Sequence, residues 1–430
     1  MSEFEYVSLS NLVEEIIDNR GRTCPTSEQG IPLIATNCVK EDRIYPTHEK
    51  VRYVSDETYV EWFRGHPIPG DILFVNKGSP GRVCLVPDPI DFCIAQDMVA
   101  LRADKRLVCP QYLFAALRSP QVKASIDNMN VGTMIPHFKK GDFDKLLIPV
   151  PGRSEQESIG SIYYSFSLAI ENKRKTNETL EAMAKALFKS WFVDFDPVRA
   201  KAEGRPTGLP AEISDLFPDS FEDSELGEIP SGWEVKALDE IAHFLNGLAL
   251  QKFPPEDGAA TLPVIKIAQL KKGDSTGADR CSTAVPSDYV VRDGDVLFSW
   301  SGSLAVDIWC GGDGALNQHL FKVTSKTYSK WFFYQWVNHH LPVFQEIAQG
   351  KATTMGHIQR HHLSEAKVLI PPPSLLAAMD SAFTALLDRA FGLRRQSKDL
   401  GSIRDALLPK LISGEIRIPD AEKMLEEIGI

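Results

Sequence analysis

The feature that most constrains the fold of this chain is an internal repeat with a period of about 222 residues. Four landmarks occur twice, in the same order and at nearly the same spacing. They are PGDILF at 69–74 with DGDVLF at 293–298, IAQD at 94–97 with LNQH at 316–319, TM at 133–134 with TM at 354–355, and LIPVP at 147–151 with LIPPP at 369–373. The chain is therefore predicted to contain two copies of one domain plan.

A long amphipathic helical pattern follows each proline-rich break. Apolar residues recur at steps of three and four from Ile159 to Trp191 and again from Met379 to Leu411. A strand that ends in proline cannot continue as sheet, so a change of element is expected there. A helix of about 36 residues spans about 54 Å, which is too long for one globular domain and favours pairing of the two helices with each other.

The globular halves mix short strand patterns with short helices, which predicts an α/β or α+β fold for each. Outside the shared landmarks their sequences differ widely, as expected of one scaffold that carries two different sets of surface loops. The predicted boundaries are 1–150 for the first domain, 151–200 for the first helix, 201–230 for a linker, 231–373 for the second domain, 374–416 for the second helix and 417–430 for a C-terminal tail.

The formal net charge of −11 at first argues against a nucleic-acid partner. The acidic excess is concentrated between Glu203 and Glu228, in the predicted linker, so each domain is close to neutral and can still present a basic face. The seven cysteines include no CxxC pair, which favours reduced thiols. No apolar leader or membrane-length apolar run is present, and we expect a cytoplasmic protein without a membrane partner.

Three segments carry a resemblance to a known family. They are LFKSWFVDFDPVRAK at 187–201, IRDALLPKLISGEI at 403–416, and the stretch from Ile148-Pro149 to Glu155-Gln156. Together they closely resemble the conserved regions of the specificity subunits of Type I restriction-modification systems, and the match spans the whole chain. The sequence departs from the family pattern at 374–378, where SLLAA replaces the frequent Glu-Gln pair.

The resemblance implies a non-catalytic subunit with two α/β target-recognition domains in a pseudo-two-fold repeat, separated by two antiparallel coiled-coil helices. Each domain would read one half of a bipartite, asymmetric site in double-stranded DNA. The helices would set the spacer and bind two methyltransferase subunits, and motor-nuclease subunits would join for cleavage. No cofactor is expected on this chain, because S-adenosylmethionine, ATP and magnesium would bind the partner subunits.

Turns that follow strands are the expected DNA contacts, because they can aim donors and acceptors at bases and phosphates. The candidates in the first domain are Arg20, Arg22, Thr23, Lys77, Ser79, Arg82, Thr133, His137, Lys139 and Lys140. The candidates in the second domain are Asn246, Gln251, Ser299, Ser301, Ser303, Lys351, Thr353, Thr354, His357 and Arg360. An exposed aromatic cluster of Phe188, Trp191 and Phe192 is the candidate partner-binding surface.

Enzyme functions find little support in the motifs. The sequence has neither the Pro-Pro-aromatic tetrapeptide of amino-methyltransferases nor a P-loop. The Glu-x-Lys at 365–367 is too short to indicate a nuclease, and His357, His361 and His362 lack a further ligand at helical spacing. Two alternatives stay open: an enzyme whose active site lies hidden in the globular halves, and a structural coiled-coil adaptor without sequence-selective DNA binding.

Overall fold

The computed structural model describes residues 4–19, 23–129, 136–350, 356–427 and 429, and the chain divides into two units. The first unit contains Met1–Arg174 and Gln396–Ile430, and the second contains Lys175–Arg395. Each unit therefore combines one globular region with a part of both long helices.

The elements of the N-terminal part follow the predicted mixture of strands and helices. In chain order they are β1 (Glu5–Ser8), β2 (Val13–Asp18), β3 (Ile31–Ile34), β4 (Arg52–Val54), α1 (Asp56–Glu61), β5 (Ile72–Val75), β6 (Val83–Leu85), β7 (Cys93–Ile94), β8 (Met98–Ala103), α2 (Pro110–Arg118), α3 (Pro120–Met129), β9 (Leu147–Val150) and the long helix α4 (Arg153–Phe192). Short 3-10 turns occupy Leu9–Leu12, Thr36–Cys38 and Lys140–Asp142.

The first unit is built around an antiparallel sheet of order β2-β8-β5-β6. A second sheet has the order β4-β3-β7, with β3 parallel to β7, and β1 pairs with β9. Strand β5 is buried on both faces: Ile72 and Phe74 belong to one core cluster, and Leu73 and Val75 belong to another. Side chains alternate across a strand, so this run of apolar residues places β5 between two cores.

The elements after α4 repeat this plan. They are α5 (Asp196–Ala202), α6 (Ala211–Ser214), β10 (Phe221–Ser224), β11 (Gly227–Pro230), β12 (Glu234–Ala237), α7 (Leu238–Ile241), β13 (His243–Asn246), β14 (Thr261–Ile265), α8 (Ile267–Lys272), β15 (Arg280–Ser282), β16 (Val290–Val291), β17 (Val296–Ser299), β18 (Val306–Ile308), β19 (Gly314–Leu316), β20 (Leu320–Thr324), α9 (Lys330–Gly350), α10 (Arg360–Glu365), β21 (Lys367–Ile370), the long helix α11 (Pro373–Ile412) and α12 (Ile418–Glu427). Short 3-10 turns occupy Leu250–Lys252 and Ser287–Tyr289.

The second unit has a sheet of order β13-β20-β17-β18, which matches β2-β8-β5-β6 strand for strand. Its other sheet, β15-β14-β19-β16, matches β4-β3-β7 with one added strand, and β12 pairs with β21 as β1 pairs with β9. The two-copy plan predicted from the sequence repeat is confirmed in the topology, and so is the α+β class.

A glycine-aspartate turn opens the central strand of the first unit. Gly70 has a φ of +88°, a conformation that favours glycine. The buried carboxylate of Asp71 accepts a hydrogen bond of 2.9 Å from the Ile68 backbone N–H and lies 2.9 Å from the Arg102 guanidinium on β8. The hydrogen bond from Arg102 to Asp71 raises the pKa of Arg102. The motif aspartate thus joins the turn to the neighbouring strand.

The second unit reproduces this turn with a different cation. Gly294 has a φ of +92°, and Asp295 accepts a hydrogen bond of 2.8 Å from the Arg292 backbone N–H. The Asp295 carboxylate lies 3.0 Å from the Lys322 ammonium on β20. The repeated Gly-Asp landmark is therefore a folding element in both copies.

Within the first unit, α4 and α11 pair through a partly polar seam. The buried Arg404 guanidinium lies 3.3 Å from the Ser167 hydroxyl and covers the Tyr163 ring at 5.2 Å from its centroid. Lys173 donates to the Gln396 side-chain oxygen at 3.1 Å. Because residue numbers rise along one helix as their partners' numbers fall along the other, the helices run antiparallel here.

Within the second unit, the same two helices pair around Arg394. Its guanidinium lies 2.5 Å from a Glu181 carboxylate oxygen and 2.6 Å from one of Asp307. Burial lowers the pKa of Arg394, but the two carboxylates outweigh burial and raise it overall. The Trp191 and Phe383 rings meet edge to face with centroids 5.8 Å apart, which again gives an antiparallel order. The polar residue Arg394 in this seam is thus a paired charge.

The predicted seam of the first helix is wrong at Met183, which is 48% exposed, whereas Ala184 and Phe188 are buried. Between Leu180 and Phe192 the buried face follows steps of four residues. Each step of four turns that face by about 40° around the helix axis. Because of this rotation, Phe188 and Phe192 pack against α9, and Phe192 also packs against α11.

The expected exposed cluster of Phe188, Trp191 and Phe192 is a buried cluster, with 2%, 8% and 0% of the respective residue surfaces exposed. Phe188 packs edge to face on Trp336 at 5.0 Å, and Phe192 lies 5.8 Å from Trp331. These aromatic residues belong to the core of the second unit, so the premise of the predicted partner surface was wrong.

The predicted linker and tail are also folded. Residues 201–230 include α6 and the β10-β11 hairpin, and their Phe217 and Ile229 are buried in the core of the second unit. The C-terminal segment forms α12, whose Ala421 and Leu425 pack into the core of the first unit. A few apolar anchors order these otherwise polar segments. Among the helices in the described ranges, none is long and apolar enough to cross a membrane.

Replacing Trp191 by alanine is expected to lower the free energy of unfolding by about 3–5 kcal/mol, because it removes a large side chain from a packed core. Urea unfolding followed by circular dichroism measures the change. The matched control is Met183→Ala on the same helix, where the side chain is exposed and the expected change is within about 0.5 kcal/mol. Equal stabilities of the two variants would contradict the packing described here.

Candidate nucleic-acid interface

In the first unit, the turn after β5 meets the segment that precedes the Lys140–Asp142 turn. Lys77 forms an isolated antiparallel bridge with His137, and the Gly78 backbone N–H donates to the Pro136 carbonyl at 3.0 Å. Gly78 has a φ of +87°, which a residue with a side chain rarely adopts. The structure therefore brings two of the predicted DNA-contacting segments side by side.

The second unit contains the same bridge at matching positions of the repeat. Ser301 pairs with His357, and the Gly302 backbone N–H donates to the Gly356 carbonyl at 2.7 Å. Gly302 has a φ of +66°. One backbone arrangement thus presents Lys77 and His137 in one unit and Ser301 and His357 in the other. We call each arrangement the bridge turn of its unit.

Side chains around the second bridge turn form a hydrogen-bonded cluster. The Trp300 indole N–H donates to the Asn246 side-chain oxygen at 2.9 Å and to the Gln318 backbone carbonyl at 3.2 Å. The Ser301 hydroxyl lies 2.8 Å from His319 Nδ1, and the Trp300 and His319 ring centroids are 6.0 Å apart. The ends of β13 and β17 and the start of β20 supply these residues, so the sheet fixes their positions.

The predicted residues of the first domain divide by exposure. Thr23, Lys77, His137 and Lys139 are exposed, and Ser79 and Arg82 are half-buried. Lys140 begins a 3-10 turn. Arg20, Arg22 and Thr133 lie outside the described residues.

In the second domain, Gln251, Ser303 and Arg360 are exposed, and Asn246 and His357 are half-buried. The Ser303 hydroxyl accepts a hydrogen bond from Lys271. The Arg360 guanidinium lies 5.9 Å from the Phe321 ring centroid. Lys351, Thr353 and Thr354 lie outside the described residues.

Two predicted serines are buried and hold the loop together. Ser299 is fully buried; its hydroxyl accepts from the Ala305 backbone N–H at 2.7 Å and donates to the Ser303 carbonyl at 3.0 Å. Ser299 was therefore wrongly expected to contact DNA, since the strand end turns its side chain inwards. Ser301 is 3% exposed and engages His319 instead of solvent.

Two residues that build the second cluster, Trp300 and His319, were not among the residues predicted from the sequence. Trp300 lies between Ser299 and Ser301, which were both predicted to contact DNA. It occupies the repeat position of Asn76, whose side-chain amide donates to the Phe138 carbonyl at 3.0 Å. The alignment of the two repeat copies, which places Trp300 opposite Asn76, could have identified it. An aromatic residue after a buried strand was more easily attributed to the core.

A histidine and glutamate group lies near the second bridge turn. Potential ligand atoms of His361, His362 and Glu365 lie within 4.8 Å of one another. Glu365 is therefore a further potential ligand that was not predicted from the sequence. His362 Nδ1, however, accepts a hydrogen bond of 3.0 Å from the Gln359 backbone N–H at the start of α10. That contact gives His362 a helix-capping role.

The repeated α+β frame, with a polar bridge turn beside each central sheet, defines a protein with two recognition domains of one design. A family model described as the Type I restriction modification DNA specificity domain matches residues 1–182 and 230–375. The chain belongs to this family of specificity subunits, whose role is DNA recognition and not catalysis.

Individual relatives agree with this assignment. The Type I restriction enzyme MjaIX specificity subunit of Methanocaldococcus jannaschii is 25% identical over 359 residues, covering 82% of this chain and 78% of the relative. The HindI specificity subunit of Haemophilus influenzae is 24% identical over 402 residues, covering 81% and 86%. The crystal structure of the Type I S subunit from M. genitalium has the same fold, with a TM-score of 0.55, 15% identity and coverage of 96% and 97%.

Replacing Lys77 by alanine is expected to weaken DNA binding by the assembled complex to a similar degree on every sequence, because the exposed Lys77 at the bridge turn would contact phosphate and not a base. The slope of log affinity against log salt concentration should become less steep by about 0.9. Titrations of specific and non-specific duplexes at several salt concentrations measure both effects.

Lys105→Ala is the matched control. Lys105 is exposed and follows the far end of β8, about 20 Å along the strand from the bridge turn. Its loss should leave the salt dependence unchanged. An equal change in both variants would remove Lys77 from the interface.

Proposed function

We propose that each unit of this specificity subunit reads one half of a bipartite, asymmetric site in double-stranded DNA. The observation that carries the proposal is the bridge turn, which recurs with the same backbone bonds and a histidine in both units but places Lys77 opposite that histidine in one unit and Ser301 in the other. A shared backbone would place both turns equivalently against DNA, and different side chains would read different bases. Two unlike half-sites make the whole site asymmetric.

Exchange of residues 1–150 for the matching domain of a relative should change one half of the methylated sequence and leave the other half unchanged. The separate hydrophobic cores of the two units are the physical reason, because each supports its own bridge turn. Genome-wide mapping of methylated positions in a host that carries the system gives the result. Exchange of residues 231–373 is the reciprocal control and should alter only the opposite half.

A change in both halves after either exchange would refute the two-reader proposal. No sequence preference in the assembled complex would favour the alternative of a structural coiled-coil adaptor.

We further propose that α4 and α11 bind two methyltransferase subunits and that motor-nuclease subunits join them for cleavage. S-adenosylmethionine, ATP and magnesium would then be held by the partners, in the cytoplasm. Because Phe188, Trp191 and Phe192 are buried, the contacts would come from outward-facing positions such as Met183. An exposed apolar side chain on a long helix suits such an interface.

The paired helices are also proposed to act as the ruler between the half-sites. Four residues inserted into α4 beside Lys175, with four more in α11 beside Arg395, add about 6 Å and about 40° beyond one full turn. The polar pairs on both sides of the insertion can re-form, so both units should stay intact. With about 3.4 Å per base pair, the spacer should lengthen by one or two base pairs.

The methylated motif of this double insertion is compared with that of the unaltered complex. A longer spacer between unchanged half-sites is the expected result. An unchanged spacer, or altered bases in either half-site, would show that the helices do not set the distance.

A further inference from the structure

The side-chain amide of Asn246 is held in one orientation by Trp300. An indole N–H can only donate, so the Asn246 atom 2.9 Å away must be the oxygen. The same indole N–H also donates to the Gln318 carbonyl at 3.2 Å, and that carbonyl is fixed because the Gln318 backbone N–H donates to the Leu248 carbonyl at 2.9 Å. A flipped amide would place two donors against each other. The Asn246 oxygen is thus held against the Trp300 indole, and the NH₂ group is the other branch of the amide.

An asparagine that can rotate offers a base either a donor or an acceptor, and it therefore discriminates poorly through a single contact. With its oxygen held by the Trp300 indole, Asn246 has its NH₂ donors left to offer to a base. In the major groove guanine presents the acceptors O6 and N7, adenine N7 and thymine O4, whereas cytosine presents only its amino donor. A donor at this position accepts three bases and rejects cytosine.

We infer that Asn246 reads a hydrogen-bond acceptor on one base of the second half-site and that Trp300 is the residue that sets this specificity. The inference rests on the proposed function of the second unit. Asn246 contacts the base, and Trp300 acts through Asn246 as a positioning residue.

The surroundings of Asn246 suit contact with a base. Asn246 ends β13 opposite Phe321 and lies beside the bridge turn, where Ser301 pairs with His357. The side chains that form this cluster are neutral or basic, with Arg360 at its edge. A carboxylate there would repel the phosphate backbone, and none is among these cluster members.

Among the described residues, the hydrogen bond from an indole to an asparagine beside the bridge turn occurs only in the second unit. At the repeat position of Trp300 the first unit has Asn76, a buried residue whose amide donates to the Phe138 carbonyl. An asparagine there cannot supply the long indole donor that reaches from β17 across to β13. Substitution at Trp300 should therefore affect one half-site and leave the other unchanged.

Trp300→Phe tests the inference because it retains an aromatic ring and removes the indole N–H. The variant is assembled with its methyltransferase subunits in a host, and the methylated positions are mapped genome-wide. One position of the second half-site should then admit cytosine, with discrimination there reduced by about tenfold. Asn246→Asp, which offers only acceptors, should shift the same position towards cytosine or adenine, the bases with amino donors.

Trp309→Phe is the matched control. Trp309 is buried in the same unit, and its indole N–H donates to the Gly312 carbonyl at 2.6 Å, away from Asn246. This change also removes one indole hydrogen bond, and the motif should stay as it was. If Trp300→Phe methylates too weakly to map, Asn246→Ala decides, since it removes the donor without altering the indole and must relax the same single position.

An unchanged second half-site in both Asn246 variants would overturn the inference. The domain exchange described above separates this failure from a failure of the proposed function. If exchange of residues 231–373 alters the second half-site while the Asn246 variants do not, the unit reads DNA through other residues. If that exchange alters nothing, the second unit is not a reader at all.

Discussion

Pairing of α4 with α11 is the interaction on which both units depend, because each hydrophobic core includes residues of both helices. Phe166 and Leu407 lie in the core of the first unit, and Phe192 and Phe383 lie in that of the second. These partners are far apart in sequence, so neither core is complete until the helices are in register. A slip by one helical turn would separate the half-buried Arg394 from its two carboxylates, and a charge removed from water without its partner is destabilising. The polar seam therefore fixes the register that apolar contacts alone would leave less specific.

With the register fixed, the units can differ at the bridge turns, the proposed contacts with DNA. The glycine turns and backbone bonds of the bridge turn recur in both, while the residue after the central strand is Asn76 in one unit and Trp300 in the other. The neighbouring strand contributes Asp97 in the first unit and His319 in the second. Each pair occupies one backbone position with different hydrogen-bonding chemistry. A scaffold of this kind lets recognition change without a change in folding.

The sequence predicted those parts of the structure that repeat or recur periodically. The two-copy topology, the mixed class and the long helices follow from landmarks at constant spacing and from apolar steps of three and four. Periodicity could not show that the buried face turns past Met183 towards Ala184, because that rotation depends on α9 packing against the helix. For the same reason Trp191 was expected at the surface. In the second cluster Asn246, Ser301 and His357 were predicted, but Trp300 and His319 were not, since the Trp300 hydrogen bond joins residues 54 positions apart.

The acidic net charge is compatible with DNA recognition because the acidic excess is concentrated between Glu203 and Glu228, a segment that contains neither bridge turn. Asp71, Asp295 and Asp307 are paired with Arg102, Lys322 and Arg394 in turns and in the helix seam, away from the bridge turns. The net charge of −11 opposes binding to phosphates, so this chain by itself should bind non-specific DNA weakly. Weak non-specific binding raises the ratio of specific to non-specific affinity. That ratio determines whether a DNA-binding protein finds its site among the many competing sites of a genome. Under the proposed function most of the affinity would come from the assembled complex, while base contacts at positions such as Asn246 would decide which sequence is bound.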